Sequence, residues 1–158
     1  MLLAAASLAA LTSCGGTTSS ARSRQADRIW AANVAGVVDL LERDLALSQE
    51  TGTTVADARR ALANASGLYT DVVAYTDFGG CRRMVANAGT PGAGGAGVVA
   101  TLDGACASLQ RAAALFTQAT ASSDAGALVD AGRTAAQAAP LLARAAAALQ
   151  AASARRSS

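Results

Sequence analysis

Residues 99–116 read VATLDGACASLQRAAALF and carry the clearest structural pattern in the chain. Apolar side chains recur there in alternating steps of three and four positions, at Val99, Leu102, Cys106, Leu109, Ala113 and Phe116. Steps of this size place side chains on one face of an α-helix, whereas a half-buried strand alternates every second residue. The segment therefore predicts an amphipathic helix with one buried face.

Three further segments show the same spacing, which extends the helical prediction over most of the chain. The first runs from about Gln25 to Gln49, the second starts behind Thr54 as an N-cap, and the last begins near Asp124. Their apolar stripes comprise Trp30, Val34, Val37, Leu41 and Leu45, then Val55, Ala58, Leu62, Ala65, Tyr69, Val72 and Thr76, and finally Leu128, Ala135, Ala139, Leu142, Ala146 and Leu149. We predict an all-α fold, an up-down four-helix bundle over residues 25–154.

Glycine and proline mark the predicted breaks between helices. The glycine breaks are Gly52 in the first loop, Gly79-Gly80 at the end of the second helix, and the connector over residues 89–97. Pro140 lies inside the last segment, where it removes a backbone hydrogen-bond donor. Because Ala139 is a poor N-cap, we expect a kink at Pro140 rather than two helices.

The beginning of the chain carries a different pattern. An apolar run from Leu2 to Leu11 leads into Thr12-Ser13-Cys14, and the polar residues GGTTSS follow. An aliphatic residue, two small residues and a cysteine in this order resemble the lipobox of bacterial lipoproteins. The resemblance implies a signal peptide over residues 1–13, acylation of Cys14 and a flexible tether over residues 14–24. The apolar run is shorter than the roughly 20 residues that a membrane-spanning helix needs.

The amino-acid composition also resembles that of bacterial lipoproteins. All 13 basic residues are Arg and alanine dominates, which is similar to small Ala-rich actinobacterial lipoproteins. The resemblance implies a location on the extracytoplasmic face of the cell membrane, with the acylated Cys14 held by membrane lipid. A secretory signal begins with basic residues and none precedes Cys14, so we expect the reading frame to start further upstream. The alternative is a soluble intracellular helical bundle with an Ala-rich first helix.

The chain has 3 cysteines, an odd number. Acylation of Cys14 leaves Cys81 and Cys106, and such a pair is expected to oxidise outside the cytoplasm. We predict a Cys81–Cys106 disulfide near one end of the bundle. The alternative is two buried free thiols. A zinc site is disfavoured because zinc takes four ligands and the chain has no histidine.

Basic residues cluster at one end of the predicted bundle. With short connections and up-down topology, the tethered end carries Arg22, Arg24, Arg28, Arg82, Arg83, Arg155 and Arg156. Anionic headgroups attract arginine near the membrane surface, so we predict that this end faces the lipid. The alternative is a set of ordinary solvated helix ends, with residues 155–158 as a C-terminal tail.

The residue types that most catalytic sites need are scarce. The absence of histidine excludes a histidine-based nucleophile triad and a Glu-x-x-His di-iron site. Residues 92–97 spell a G-x-G-x-x-G pattern, but Thr-Pro and a helix precede it instead of the strand that a dinucleotide site needs. A net charge of +2 with 3% aromatic residues argues against nucleic-acid binding. We therefore predict no catalytic residue, no cofactor and no metal.

Two kinds of binding protein fit these expectations. One is a non-catalytic interaction module that docks an unknown envelope protein through an outer helix face. The other is a bundle that binds a small ligand in a cavity among Trp30, Tyr69, Tyr75 and Phe116. Alanine at the helix seams favours close packing over a cavity, so the interaction module is the leading hypothesis.

Overall fold

A computed structural model describes residues 16–50, 54–64, 68–92 and 94–155 of the chain. In these ranges it contains α-helices and no strand, which confirms the all-α prediction. The helices are α1 (Gly16–Glu50), α2 (Val55–Ala63), α3 (Tyr69–Asn87), α4 (Ala96–Ser122), α5 (Ala125–Ala136) and α6 (Ala139–Ala154). None of the helices in these ranges is long and apolar enough to cross a membrane.

Helix α4 has the buried face that its spacing predicted. Leu102, Cys106, Leu109 and Phe116 are buried, while two positions of the stripe shift by one residue, to Val98 and Ala112. Val99 and Ala113, which the sequence placed on the stripe, are half-buried beside it. A shift of one residue turns a side chain by about 100° and still leaves it at the edge of the apolar face.

Helix α1 is 35 residues long, or about 52 Å at 1.5 Å per residue. Its buried face comprises Trp30, Val34, Val38, Leu41 and Leu45, so Val38 replaces the predicted Val37. Residues 20–24 lie in this helix with exposed side chains, although a flexible tether was predicted there. Alanine, arginine and glutamine in this stretch are good helix formers, which accounts for the longer helix.

The second predicted helix is wrong, because a break at Asn64 and Leu68 divides it into α2 and α3. Because of this break, the buried face of α3 does not continue the buried face of α2. Tyr69 and Val72 are therefore exposed instead of buried, and the buried face of α3 comprises Asp71, Ala74, Tyr75, Phe78 and Cys81.

Helix α3 also continues through Gly79-Gly80, where the sequence predicted its end. Phe78 and Cys81 are fully buried on either side of the glycines, and the side-chain amide of Gln110 donates to the Gly79 carbonyl over 3.4 Å. Contacts with α4 outweigh the weak helix propensity of the two glycines, which costs about 1 kcal/mol each.

The last segment was predicted to form one helix with a kink at Pro140. This prediction is wrong, because the segment forms two helices, α5 and α6, which are separated at Gln137 and Ala138. Both residues keep right-handed helical angles, and their N–H groups donate to Thr134 and Ala135, three residues back, at 3.2 and 2.9 Å. Pro140 lies in the first turn of α6, where a missing N–H is tolerated. The two helices therefore follow one another with only a local tightening of the chain.

Side chains cap the N-termini of α2 and α5, and of the two caps the one at Thr54 was predicted from the sequence. The Thr54 hydroxyl accepts from the Asp57 N–H at 3.2 Å, and the Asp124 carboxylate accepts from the N–H groups of Gly126 and Ala127 at 2.8 and 3.1 Å. These bonds satisfy backbone donors that the first helical turn leaves without partners.

Alanine is the most frequent residue in the core and occupies 12 of the 29 buried apolar positions in the described ranges, while larger side chains occupy the others. Helix α3 packs against α1 and α4, α6 packs against α1 and α4, and α5 packs against α4, α2 and α1. The largest fully buried apolar side chains are Phe78, Leu41, Leu102, Leu109 and Leu142. At the start of α4, Trp30 lies against Gly95, where an added Cβ would come within 2.7 Å of the indole ring.

Candidate functional site

The two cysteines predicted to pair form a disulfide. Cys81 in α3 and Cys106 in α4 are both buried, and their Cα atoms are 5.4 Å apart. This confirms the predicted bridge and joins α3 directly to α4. The predicted lipidation site, Cys14, lies outside the described residues.

The arginines predicted to face the membrane fall into two groups. Arg22, Arg24 and Arg28 are exposed on the first turns of α1, and Arg155 is exposed directly after α6. Arg156 lies outside the described residues.

The other two arginines, Arg82 and Arg83, lie further along the molecule. Asn33 in α1 donates to the Ala88 carbonyl at 3.3 Å, which sets α1 against α3. Position 82 then lies opposite position 39 of α1, about 16 Å along the axis from Arg28. There Arg82 donates to the Asp103 carboxylate at 2.8 Å and joins α3 to α4.

Asp44 brings a carboxyl group into the interior between α1 and α3. Its side chain is 2% exposed and lies beside Asp77 of α3. The pKa of Asp44 is raised from 3.8 to about 6, and burial is the largest cause. Asp77 contributes to the rise by hydrogen bonding and charge repulsion, while the Arg43 guanidinium opposes it. The spacing of apolar residues did not predict the burial of Asp44, because such an analysis assumes that aspartate side chains are exposed to solvent.

The aromatic residues predicted to line a cavity are not brought together as a set of four. Tyr75 and Phe116 stack with ring centroids 4.3 Å apart, and Phe78 meets Tyr75 edge-on at 5.2 Å. Trp30 lies elsewhere, against Gly95, and Tyr69 is 72% exposed. Burial, together with the nearby Asp71, raises the pKa of the Tyr75 phenol above its ordinary value.

An apolar surface lies outside this aromatic cluster. We call it the α3 apolar face, and it consists of Tyr69, Val72 and Val73, which are 72%, 48% and 46% exposed. It borders an open groove of about 640 Å³ between α3 and α4, lined by side chains that include Val72, Tyr75, Thr76, Gln110, Phe116 and Thr120. Among the described residues, none that lines this α3/α4 groove is charged.

A second groove runs between α1 and α6 and has a volume of about 590 Å³. Alanine is its most frequent lining residue, at five of 11 positions drawn from both helices, and we call it the α1/α6 groove. Sequence reasoning missed it, because alanine at a helix seam was taken to imply close packing. The available signal was that small side chains face each other, at Ala31, Ala32 and Ala35 on one side and at Ala146 and Ala152 on the other.

Metal-binding side chains do not cluster in the described part of the chain, where no three His, Cys, Asp or Glu residues lie close enough to share an ion. Three surfaces of the described residues are candidates for function. They are the α3 apolar face with its groove, the α1/α6 groove, and the arginine end, which carries Arg22, Arg24, Arg28 and Arg155. No protein-family model, no curated protein and no solved structure shows a significant match to the chain.

Proposed function

We propose that this chain is a lipid-anchored protein of the bacterial cell envelope and acts there as a non-catalytic helical interaction module. Its anchor is the acylated Cys14 on the extracytoplasmic face of the membrane. Its partner is an envelope protein that contacts the α3 apolar face.

The proposed architecture is an up-down four-helix bundle in which α5 and α6 together act as the fourth helix. The Asn33–Ala88 and Asp44–Asp77 contacts together support antiparallel α1 and α3. The Cys81–Cys106 and Arg82–Asp103 links support antiparallel α3 and α4. Gln49 of α1 donates to the Gly132 carbonyl of α5 at 3.2 Å, while Arg28 and Ser153 meet in the α1/α6 groove. These two contacts support a last segment that runs opposite to α1.

The number of cysteines supports acylation of Cys14 as the membrane anchor. The disulfide accounts for two of the 3 cysteines in the chain and leaves Cys14, the cysteine of the lipobox-like sequence. Disulfides persist mainly outside the cytoplasm, where lipobox cysteines are processed.

The observation that carries the interaction proposal is the α3 apolar face. Tyr69, Val72 and Val73 are spaced by three and four residues and point outward together, with Tyr69 72% exposed. Contiguous apolar surface of this kind on a soluble domain marks sites of interaction, and tyrosine is enriched in protein interfaces.

The neighbouring α3/α4 groove indicates the chemistry of the partner. Its lining contains threonine, glutamine, alanine and aromatic side chains without a charge. The cores of protein interfaces are depleted of charged residues in the same way. The partner segment is therefore apolar, with uncharged polar groups at its edges.

The experiment that tests this proposal places a photo-crosslinking amino acid at position 69 in cells and compares it with position 148 on α6. Ala148 is exposed and lies away from the α3 apolar face. We expect one adduct of discrete mass from position 69 and none from position 148. Val73→Glu should abolish the adduct, whereas Ala148→Glu, the matched charge control, should leave it intact.

Membrane fractionation in the same experiment tests the anchor separately. The wild-type chain should sediment with membranes at the mass of an acylated form that begins at Cys14, and Cys14→Ala should not. A discrete adduct on a soluble, unprocessed chain would refute the anchor alone. Identical adducts from positions 69 and 148 would refute the interaction face alone.

A further inference from the structure

The α1/α6 groove combines an apolar floor with polar groups at one end. Arg28 of α1 and Gln150 and Ser153 of α6 line the same end. The stretch beyond them is lined by Ala31, Ala35, Val38, Ala146 and Leu149. A volume of about 590 Å³ falls within the range of small-molecule sites.

The charge at the polar end is positive. Arg28 makes no ion pair within the described ranges of the chain. Arg24 lies one helical turn before it on the same side of α1, and Arg155 follows Ser153 just beyond α6. An anion at this end would therefore meet a guanidinium group that no carboxylate already occupies.

The opposite end of the groove carries a negative charge. Asp39 lines it 11 residues after Arg28, about 16 Å away along the helix. An anionic group is repelled from this end and attracted to the other, so the two charges fix one orientation for an anionic ligand.

We propose that the α1/α6 groove binds a monomeric, single-chain anionic amphiphile. The anionic group lies on the Arg28 guanidinium, and the alkyl chain lies along the alanine-lined floor toward Asp39. Arginine binds carboxylate and phosphate through paired N–H groups, and burial of each methylene removes apolar surface from water. This site is separate from the α3 apolar face and does not depend on the anchor.

Calorimetric titration of the full, oxidised chain with dodecanoate, below the concentration at which it forms micelles, tests the proposal. Dodecyltrimethylammonium has the same alkyl chain with a positive group and serves as the charge control. We expect saturable binding of one dodecanoate per chain and at least about tenfold weaker binding of the cation. Arg28 repels the trimethylammonium group, and in the reverse orientation this group has no N–H that could donate a charge-assisted hydrogen bond to Asp39.

Two pairs of variants localise the binding. Arg28→Glu should weaken dodecanoate binding at least about tenfold, while Arg111→Glu, at an exposed arginine of α4, should change it less than about twofold. Ala32→Leu fills the groove from an exposed position and should also weaken binding, whereas Ala107→Leu, at an exposed alanine of α4, should not. Unchanged circular dichroism and thermal midpoints establish that all four variants are folded.

Three results would each overturn the proposal. One is equal affinity for dodecanoate and dodecyltrimethylammonium, and another is undiminished dodecanoate binding by folded Arg28→Glu and Ala32→Leu. The third is binding to phosphatidylglycerol vesicles without any binding of monomeric dodecanoate, which would assign the arginine end to a membrane surface instead.

Discussion

Asp44 shows how one residue can make the stability of this fold depend on pH. Its carboxyl group is buried beside Asp77, and its folded pKa is raised to about 6. Because this value lies above the ordinary 3.8, folding takes up a proton between these two pH values. The contribution of Asp44 to stability is therefore fully present at low pH and is lost as the pH rises through about 6.

Asp44→Asn should remove this dependence. Asparagine remains neutral at every pH, so we expect the free energy of unfolding at pH 7.5 to rise by roughly 1–3 kcal/mol, with little change at pH 4. Urea unfolding at both pH values measures the effect, and Asp39→Asn, at an exposed carboxylate of the same helix, is the control. The explanation fails if wild type and Asp44→Asn lose stability equally between the two pH values.

At the scale of the helices, the disulfide between α3 and α4 offsets a core that is rich in alanine. It closes a loop of about 26 residues, which stabilises the folded state by about 3–4 kcal/mol in the chain-entropy model. The glycines at 79 and 80 precede Cys81 inside α3, where the bridge holds the helix against α4.

Reduction of the bridge should therefore lower the free energy of unfolding by about 3–4 kcal/mol. Guanidinium unfolding of the Cys81→Ala/Cys106→Ala variant, compared with the oxidised wild type, measures the difference. Cys14→Ala is the control for loss of a cysteine that the bridge does not use. An unchanged unfolding midpoint in the double variant would show that the bridge contributes nothing to stability.

The helices also show what sequence reasoning can and cannot provide. The face of α4 was predictable because its apolar periodicity, over residues 99–116, lies within one unbroken helix of 27 residues. The buried faces of α2 and α3 could not be predicted in this way. The sequence analysis continued one apolar stripe across the break at Asn64 and therefore wrongly predicted Tyr69 to be buried. The α1/α6 groove was missed for a different reason, because the distance between two alanine-lined helices depends on how every other helix packs.

The whole molecule has a polarity along its long axis. Arg22, Arg24 and Arg28 lie at the start of α1, and Trp30 lies against Gly95 at the start of α4. From there α4 runs for 27 residues, about 40 Å, away from the arginine end. If Cys14 is anchored in lipid, as proposed, the arginines lie near the membrane and the end of α4 lies far from it.

Energy transfer to a dye in the membrane can measure this orientation. Ser23 and Ser122 are exposed serines near the two ends of the axis, and the hydroxyl of each donates to a nearby backbone carbonyl. Ser23→Cys and Ser122→Cys each add a single free thiol to a chain in which Cys81 and Cys106 are bridged and Cys14 is, as proposed, acylated.

A donor at position 23 should transfer energy strongly to acceptors in phosphatidylglycerol vesicles, and a donor at position 122 only weakly, because about 50 Å of helix separates them along the axis. Raising the salt concentration should lower transfer from position 23 slightly, since it screens the attraction between arginine and the anionic lipid. Equal transfer from both positions would mean that the bundle lies along the membrane surface, with its long axis parallel to the lipid.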